Sequence, residues 1–347
     1  MLHNYINWHD RGLVREAARR AVRQGPRAVA ASLRRSRTAR VQAAWQEPDP
    51  APTEWWAVPG MPARWATLIT GDPATDWAAA VLDRYLAGRH DLVGLNLGCG
   101  DGINARRWAA FHRFARLDGV DISPERIAFA RQAAQVDGLA TVLHYQVADV
   151  YTVDWPAQQY DLIIGEQSIH HFTPLTALFE RIARWLKPDG YFVLNEFVGP
   201  TRFQWTERQL AAINALLALL PPAYKRLPGG GPPKPPVYRP SVLSMLRADP
   251  SEAVESARIL PLLPKYFDVL EVRPYGGGVL HLLFSGIAQN FRADDPVARR
   301  WVQVCMEVED LLTASGDVAN DFAIIVCRPR GIKRGAQDTH ASLRSAP

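Results

Sequence analysis

The chain has 347 residues and a mass of 38.7 kDa, a size that suits one large domain or two modest ones. Because 48% of its residues are hydrophobic and 22% are charged, it can bury a core, which excludes wholesale disorder. The 40 basic and 35 acidic residues leave a net charge of +5, which says little by itself about partners.

The apolar stretches and the cysteines indicate the cellular compartment of the protein. The longest apolar stretch, residues 215–220, is far shorter than the roughly 20 residues that cross a bilayer. No charged segment followed by an apolar one opens the chain, so we expect no signal peptide. The three cysteines form no CxxC pair, which indicates reduced thiols and a cytoplasmic location.

Residues 1–44 form a basic N-terminal arm, predicted to be helical around residues 13–22. Residues 11–40 contain ten arginines and one acid, Glu16. Basic arms can bind nucleic acid or anionic lipid. No aromatic residues interleave with these arginines as nucleic-acid binding would require, so a solvated helix is favoured and nucleic acid is an unlikely partner. Weak peripheral membrane contact through the arm stays open.

Residues 45–90 form a cap and linker segment. It begins with a stretch rich in proline and acids, continues with Trp55, Trp56 and Trp65, and ends in a predicted helix over residues 76–86. The tryptophans are interpreted as a hydrophobic contact between this cap and the core. The alternative is a lid.

Residues 91–197 alternate short apolar runs with helix-period segments, the pattern of a parallel sheet. Each predicted strand ends on glycine or on a hydrogen-bonding side chain. In open parallel sheets ligands bind beyond the carboxyl ends of the strands. The recurrence of these residues at one edge therefore predicts a polar-ligand site there, formed by residues 98–102, Asp121, Asp149, 166–168 and 195–196.

The regular pattern loosens after residue 197. Residues 198–262 are predicted to be an insertion that covers the site, with a helix near 206–220 that opens on a capping-box spacing, Thr206 to Gln209. Residues 221–240 are rich in proline and predicted irregular. Residues 263–330 complete the sheet with strands at 267–272 and 322–327 and a helix over 296–312, and residues 331–347 form a disordered tail.

The residues at the strand ends favour one nucleoside ligand. The GxGxG spacing of Gly98, Gly100 and Gly102 differs from the GxGxxG of dinucleotide sites. Asp101 would repel a pyrophosphate but suits ammonium and sulfonium groups. Asp121 is placed to accept both ribose hydroxyls. These preferences predict S-adenosylmethionine as the cofactor, and a nicotinamide oxidoreductase ranks last.

The same core resembles the class I S-adenosylmethionine-dependent methyltransferases. The matching segments keep the family's order and spacing, and they are residues 96–102, 119–125, 148–150, 160–163, 168–171 and 186–191. The resemblance implies a Rossmann-like α/β fold with a seven-stranded, mostly parallel sheet. Its last strand, residues 322–327, would be antiparallel. An N-terminal helical cap and the insertion after strand five would cover the site.

The resemblance also implies roles for residues of the cofactor site. Gly98 and Gly100 would line the methionyl group, Asp121 the ribose, and Asp149 with Val150 the adenine. Asn96 stands at a position where the family commonly has an acid. The asparagine keeps a hydrogen-bond acceptor but lacks the negative charge. In the lid interpretation an arginine of the cap meets the cofactor carboxylate. The remaining predicted cofactor contacts are Cys99, Ile122, Glu166 and Arg64.

Methyl transfer needs alignment of the acceptor with the methyl group, and a hydroxyl acceptor also needs a base. The candidates for catalysis follow strands four and five and are His171, His170, Glu196 and Glu166. A metal ion bound by the two histidines with Glu196 and His281 would be an alternative aid to the methylation of a sugar. Since the spacing matches no standard metal motif, no metal site is predicted.

The acceptor is predicted to be a small molecule or glycan, methylated on a hydroxyl oxygen. Residues 165–168 lack the Asn/Asp-Pro-Pro-aromatic pattern of nucleobase methylation. The insertion mixes cations with aromatic residues, which suits a polar or sugar-containing acceptor. The predicted acceptor-binding residues are Gln167, His281, Arg202, Phe203 and Trp205. Three alternatives stay open: N-methylation of a small molecule, methylation of RNA or protein through the arm, and cofactor binding without catalysis.

Overall fold

The computed structural model describes residues 53–330, so the predicted basic arm and the predicted tail lie outside the described residues. One sheet of seven strands has the order β3-β2-β1-β4-β5-β7-β6. The strands are β1 Leu92–Leu97, β2 Phe114–Asp121, β3 Leu143–Val147, β4 Tyr160–Glu166, β5 Leu186–Phe197, β6 Phe267–Pro274 and β7 Phe322–Pro329.

The sheet is mixed in the predicted manner. Strands β1 to β5 are paired in parallel, so their carboxyl ends meet at one edge. Strand β7 is antiparallel to both β5 and β6, which confirms the predicted antiparallel last strand. The central position of β1 between β2 and β4 places the glycine loop that follows β1 in the middle of that edge.

Helices cover both faces of the sheet, because successive residues of a buried strand point to opposite sides. Ile163 of β4 and Phe192 of β5 contact one apolar cluster, whereas Ile164 and Val193 contact another. The helices of the described chain are Met61–Thr70, Trp77–Tyr85, Ile103–Ala109, Pro124–Val136, Leu175–Trp185, Glu207–Leu219, Val242–Ala248, Ile259–Tyr266, Leu280–Phe284 and Pro296–Ala314.

Side-chain caps set the start of several predicted helices. The carboxylate of Asp76 accepts a hydrogen bond from the backbone N–H of Ala78 at 2.7 Å. Thr206 caps the next predicted helix by accepting from the N–H of Gln209 at 3.1 Å. The capping box is incomplete, because the Gln209 amide instead donates to Asp321 at 2.8 Å.

Helix Leu175–Trp185 begins without a side-chain cap from its own segment. Thr173 and Pro174 have the sequence order of a threonine cap followed by proline at the first helical position. In the structure the peptide bond between them is cis, and Pro174 itself precedes the helix without a side-chain cap. Glu255 of the insertion replaces that cap, accepting from the N–H of Leu175 at 2.8 Å. The insertion is thereby tied to the core beside the site.

A third apolar cluster joins the cap segment to the C-terminal elements at the end of β5. Trp55 is buried there, with its ring 4.7 Å from that of Trp65 and 5.1 Å from that of Phe322. This packing confirms a hydrophobic contact between cap and core for these two tryptophans, while Trp56 is half exposed at 52%. Within residues 53–330, no helix is both long and apolar enough to cross a membrane.

Candidate functional site

A cleft of about 390 Å³ opens at the carboxyl ends of β1 to β4. Its position is the one that the strand-end residues predicted, because a parallel sheet brings all of these ends to one edge. Eight predicted cofactor contacts line it: Gly98, Cys99, Gly100, Asp121, Ile122, Asp149, Val150 and Glu166. The volume lies in the range of small-molecule sites.

The loop after β1 brings its backbone against the loop after β4. Gly98 and Gly100 have φ values of +60° and +53°, in the left-handed region that favours glycine. A Cβ added at Gly98 would lie 2.7 Å from the Cβ of Ser168, too close for any real contact. The Ser168 hydroxyl is fixed by donating to the carbonyl of Leu97 at 2.7 Å. Only glycine therefore fits at position 98.

Replacing Gly98 by alanine is expected to lower the free energy of unfolding by about 2–4 kcal/mol, from positive φ and crowding together. Because the loop would have to move, cofactor affinity should fall by at least roughly tenfold. Gly71→Ala is the matched control, since Gly71 has φ +88° with nothing within 4 Å of an added Cβ. Denaturant unfolding and calorimetry measure both effects. Equal losses for the two variants would contradict the close contact with Ser168.

Asp121 ends β2 and is held in place by two backbone donors. Its Oδ2 accepts from the N–H of Gly100 and its Oδ1 from the N–H of Ser123, both at 2.9 Å. Burial raises the pKa of Asp121 above its ordinary value, and the two backbone hydrogen bonds oppose this shift. Each carboxylate oxygen keeps a second lone pair, so the group can accept from a pair of neighbouring hydroxyls.

Asp149 and two apolar side chains form the adjacent part of the cleft. Oδ1 of Asp149 accepts from the N–H of Tyr151 at 2.9 Å, which fixes the carboxylate at the end of β3. Ile122 and Val150 line the same cleft, and Val150 is almost fully buried. An apolar wall beside an oriented acceptor suits a flat heterocycle with an exocyclic amine.

Glu166 lies at the end of β4, where neighbouring side chains compensate its negative charge. It accepts from the indole N–H of Trp108 at 2.6 Å and from Nη2 of Arg107 at 3.0 Å. Burial raises the pKa of Glu166, and the charge of Arg107 opposes that shift. A carboxylate held in this way can orient a ligand, but its ion pair makes it a poor base, which leaves the predicted catalytic role of Glu166 without geometric support.

Two predicted cofactor contacts do not line the cleft. Asn96 is 2% exposed, and among residues 53–330 its amide nitrogen has no hydrogen-bond partner. Arg64 does not line the cleft and forms salt bridges with Glu309 at 3.4 Å and with Asp310 at 2.5 Å. The two acids belong to helix Pro296–Ala314. Arg64 therefore fastens the cap to that helix, which corrects its predicted role at the cofactor.

Glu196, at the end of β5, is a structural acceptor. Its Oε1 accepts from the N–H groups of Ser168 and Ile169 at 2.7 and 2.6 Å. Its Oε2 lies 2.7 Å from Nδ1 of His170. The carboxylate is fully buried and does not line the cleft. It positions the turn after β4, which corrects its predicted role as a base.

The two adjacent histidines of that turn differ in environment. His170 is buried outside the cleft lining, and although burial lowers its pKa, the carboxylate of Glu196 raises the pKa above the usual value. His171 lines the cleft, with its Nδ1 3.2 Å from the hydroxyl of Ser251. Burial lowers the pKa of His171 well below its usual value, and the neighbouring His170 lowers it further. Of the pair, only His171 is placed to meet an acceptor.

Most predicted acceptor-binding residues lie outside the cleft. Gln167 lines it, but Phe203 and Trp205 stack on each other with ring centroids 5.0 Å apart. The guanidinium of Arg202 donates to the carbonyls of Pro250 and Glu252 at 2.8 and 3.0 Å. These contacts make the three residues structural parts of the insertion.

His281 is also removed from the cleft. It is enclosed by aromatic rings, with its centroid 5.1 Å from that of Phe322 and 5.7 Å from that of Trp55. Burial lowers the pKa of His281 to about 4, so the ring is neutral near pH 7. A neutral histidine within the third apolar cluster has a packing role, which corrects its predicted contact with the acceptor.

Several cleft residues were not predicted from the sequence. Ser251 and Thr173 line the cleft although they lie far apart along the chain, and no spacing in the sequence signals either of them. Arg126 and Phe172 also line it. Arg126 follows the capping Ser123 by one helical turn, a position that sequence periodicity could have suggested.

Comparisons with known proteins agree with this geometry. Residues 95–194 match a family model described as a methyltransferase domain. The chain is 31% identical over 105 residues to phosphoethanolamine N-methyltransferase 1 of Arabidopsis thaliana, covering 30% of this chain and 20% of that protein. It is 28% identical over 170 residues to a ubiquinone biosynthesis O-methyltransferase of Rhodopseudomonas palustris, covering 47% and 62% of the two chains.

A solved structure shares the fold over a longer stretch. Geranyl diphosphate methyltransferase, in complex with GPP and sinefungin, aligns with a TM-score of 0.50 at 11% identity, covering 84% of this chain and 98% of that chain. At this identity the likeness concerns the fold alone. The chain spans about a fifth of the length of the phosphoethanolamine relative it matches, so the shared sequence is confined to the core that carries the cleft.

Proposed function

We propose that this chain, whose residues 95–194 match a family model described as a methyltransferase domain, is a class I S-adenosylmethionine-dependent enzyme that methylates a small polar or sugar-containing acceptor at a hydroxyl oxygen. The observation that carries the proposal is the cleft at the carboxyl ends of β1 to β4. In it a fixed carboxylate, an apolar wall and an exposed glycine backbone stand side by side. The methyl-transfer activity of the whole protein is proposed from this cleft.

The residues of the cleft fit S-adenosylmethionine. Asp121 has lone pairs free of its two backbone donors and would hold the ribose hydroxyls. Asp149 would accept from the adenine amine beside Val150, and the backbone at Gly98 and Gly100 would contact the methionyl group. The bound cofactor supplies an activated methyl group, so the protein's residues need only align and deprotonate the acceptor.

The acceptor end of the cleft is assigned to the side that His171, Gln167 and Ser251 line. These polar groups suit a hydroxylated molecule, and Ser251 of the insertion borders this side. A cleft of about 390 Å³ favours a small acceptor over a polymer. His171 is the catalytic candidate that the geometry supports best, since it both lines the cleft and has an imidazole held by a neighbour.

N-methylation is the second candidate, favoured by the similarity to phosphoethanolamine N-methyltransferase 1. An amine acceptor loses its proton far more readily than an alcohol, so it needs a weaker base in the protein. Whether methyl transfer requires an imidazole or another base of the protein therefore distinguishes methylation on oxygen from methylation on nitrogen. The macromolecular alternative rests on the arm, which lies outside the described residues.

The full chain should be incubated with methyl-labelled S-adenosylmethionine and a panel of glycosides, hydroxy acids, phenols and amino alcohols. We expect labelled methyl ethers or esters, identified by mass spectrometry and NMR. Products methylated only on nitrogen would favour the second candidate. Cofactor binding without transfer to any acceptor would indicate a binding protein. A requirement for residues 1–40 with RNA or protein acceptors would support the macromolecular alternative.

A further inference from the structure

We propose that His170, His171 and Glu252 bind a divalent transition-metal ion next to the acceptor end of the cleft. One ligand atom from each residue lies within 4.8 Å of the other two. The sequence predicted no metal site, because the histidines match no standard motif and Glu252 is distant along the chain. Folding of the insertion brings Glu252 to the histidine pair, and neither Glu196 nor His281 belongs to the cluster.

The hydrogen bonds of the two rings determine which nitrogen carries the proton. Nδ1 of His170 faces the Glu196 carboxylate at 2.7 Å, and a carboxylate only accepts, so Nδ1 is the donor. The Ser251 hydroxyl donates its single hydrogen to Asp249 at 2.6 Å. It must therefore accept from Nδ1 of His171, 3.2 Å away. Nε2 is therefore the ring nitrogen that each histidine can offer to a metal ion once the metal displaces a proton from it.

Nε2 of both rings lies near the same carboxylate, that of Glu252. Nε2 of His170 lies 3.6 Å from Oε1 of Glu252, and Nε2 of His171 lies 4.0 Å from Oε2. These separations are too long for hydrogen bonds. A carboxylate beside two imidazole nitrogens attracts a cation to the space between them. A tetrahedral site with bonds of about 2.0–2.1 Å has ligand atoms about 3.3 Å apart, so movements of roughly 1 Å close it.

The surroundings have the features of an outer metal shell. Metal-binding histidines usually donate their other N–H to a carboxylate or similar acceptor, as His170 does to Glu196 and His171 to Ser251. The segment that carries Glu252 is fixed by Arg202, which donates to the Glu252 carbonyl at 3.0 Å. It is fixed also by the N–H of Val254, which donates to the carbonyl of His170 at 3.1 Å.

The ligand chemistry selects the class of ion. Two imidazoles and one carboxylate suit zinc, iron(II) or cobalt(II) and not the all-oxygen preference of calcium or magnesium. Of the three ligands only His171 lines the cleft, so an acceptor would approach the ion from the His171 side. Nε2 of a metal-bound His171 has no lone pair for a proton. The metal would then replace the imidazole as the group that favours the ionised acceptor hydroxyl.

Cobalt(II) titration of the full chain, made without a polyhistidine tag and stripped with EDTA, tests the site. We expect one equivalent to give visible absorption bands of a low-symmetry nitrogen-oxygen site, and zinc to displace it. Glu252→Gln should weaken binding by at least roughly tenfold, and Ser251→Ala by roughly tenfold through the outer shell. Glu180→Gln, an exposed glutamate of helix Leu175–Trp185, should leave binding unchanged.

Binding of S-adenosylmethionine, measured by calorimetry on the same samples, separates this proposal from the proposed function. Intact cofactor binding with only the spectrum of hydrated cobalt would overturn the metal site alone. Cobalt affinity that is equal in wild type, Glu252→Gln and Ser251→Ala would overturn it as well. If Glu252→Gln does not fold, the cobalt affinity of Ser251→Ala tests the metal site instead. This variant removes only one hydroxyl at the surface of the cleft.

Discussion

Asp121→Ala is expected to weaken the binding of S-adenosylmethionine by about 30- to 1000-fold. The substitution removes charge-assisted hydrogen bonds to the ribose hydroxyls, which together contribute about 2–4 kcal/mol. Isothermal titration calorimetry measures the change. In the wild type, affinity should also fall as the pH is lowered through the pKa of Asp121, because only the carboxylate accepts from both hydroxyls. Burial moves that loss to a higher pH than the ordinary value of 3.8 would give.

Two controls accompany this prediction. Asp154→Ala removes a carboxylate whose side chain is 87% exposed and outside the cleft lining, and it should leave the affinity unchanged. Asp121→Asn keeps an acceptor for one backbone N–H and one hydroxyl, so its loss should be smaller than that of the alanine variant. Equal affinity in wild type and Asp121→Ala would contradict the assignment of the ribose to this carboxylate.

Glu196→Gln is expected to lower the free energy of unfolding by about 3–5 kcal/mol and to reduce methyl transfer strongly. The buried carboxylate accepts from two backbone N–H groups and from His170. An amide of the same shape must turn its NH2 toward one of these donors, and a buried donor is then left without an acceptor. The turn that holds His171 in the cleft would lose its support. Denaturant unfolding and the methyl-transfer assay measure the two effects.

The matched control is Glu207→Gln, on the exposed face of helix Glu207–Leu219. Its side chain is 86% exposed and its ion pair with Arg239 contributes little to stability, so the change should stay within about 0.5 kcal/mol. Wild-type stability in Glu196→Gln would show that the three hydrogen bonds are not formed together. Wild-type stability combined with lost activity would return Glu196 to the catalytic residues.

The sequence predicted the parallel strands and the position of the cleft, because both depend on local patterns, whereas the seven-stranded sheet and its antiparallel last strand were implied by the family resemblance. Period-two and period-3.6 apolar residues define the strands and helices, and a parallel sheet then places every strand end at one edge. Asp121, Asp149 and the glycine loop thus meet without further information. The positions of Gly98 and Gly100 follow from the turn they must make.

The acceptor end was not predictable in the same way, because it is made by contacts between distant segments. The lid interpretation of the cap placed Arg64 at the cofactor carboxylate, yet the two acids that bind it lie in helix Pro296–Ala314. Arg202 and Trp205 were selected for their residue type, but the fold uses them inside the insertion. Glu252 carries no local signal, and only tertiary structure brings it to the histidines.

A crystal structure of the full chain with S-adenosylhomocysteine is the most direct measurement of the central claim. We predict the ribose hydroxyls within hydrogen-bond distance of the Asp121 carboxylate, the adenine beside Asp149 and Val150, and the sulfur directed toward the side of the cleft that His171 lines. A nucleoside bound at another part of the chain, or a dinucleotide whose diphosphate lies on the glycine loop, would contradict the account.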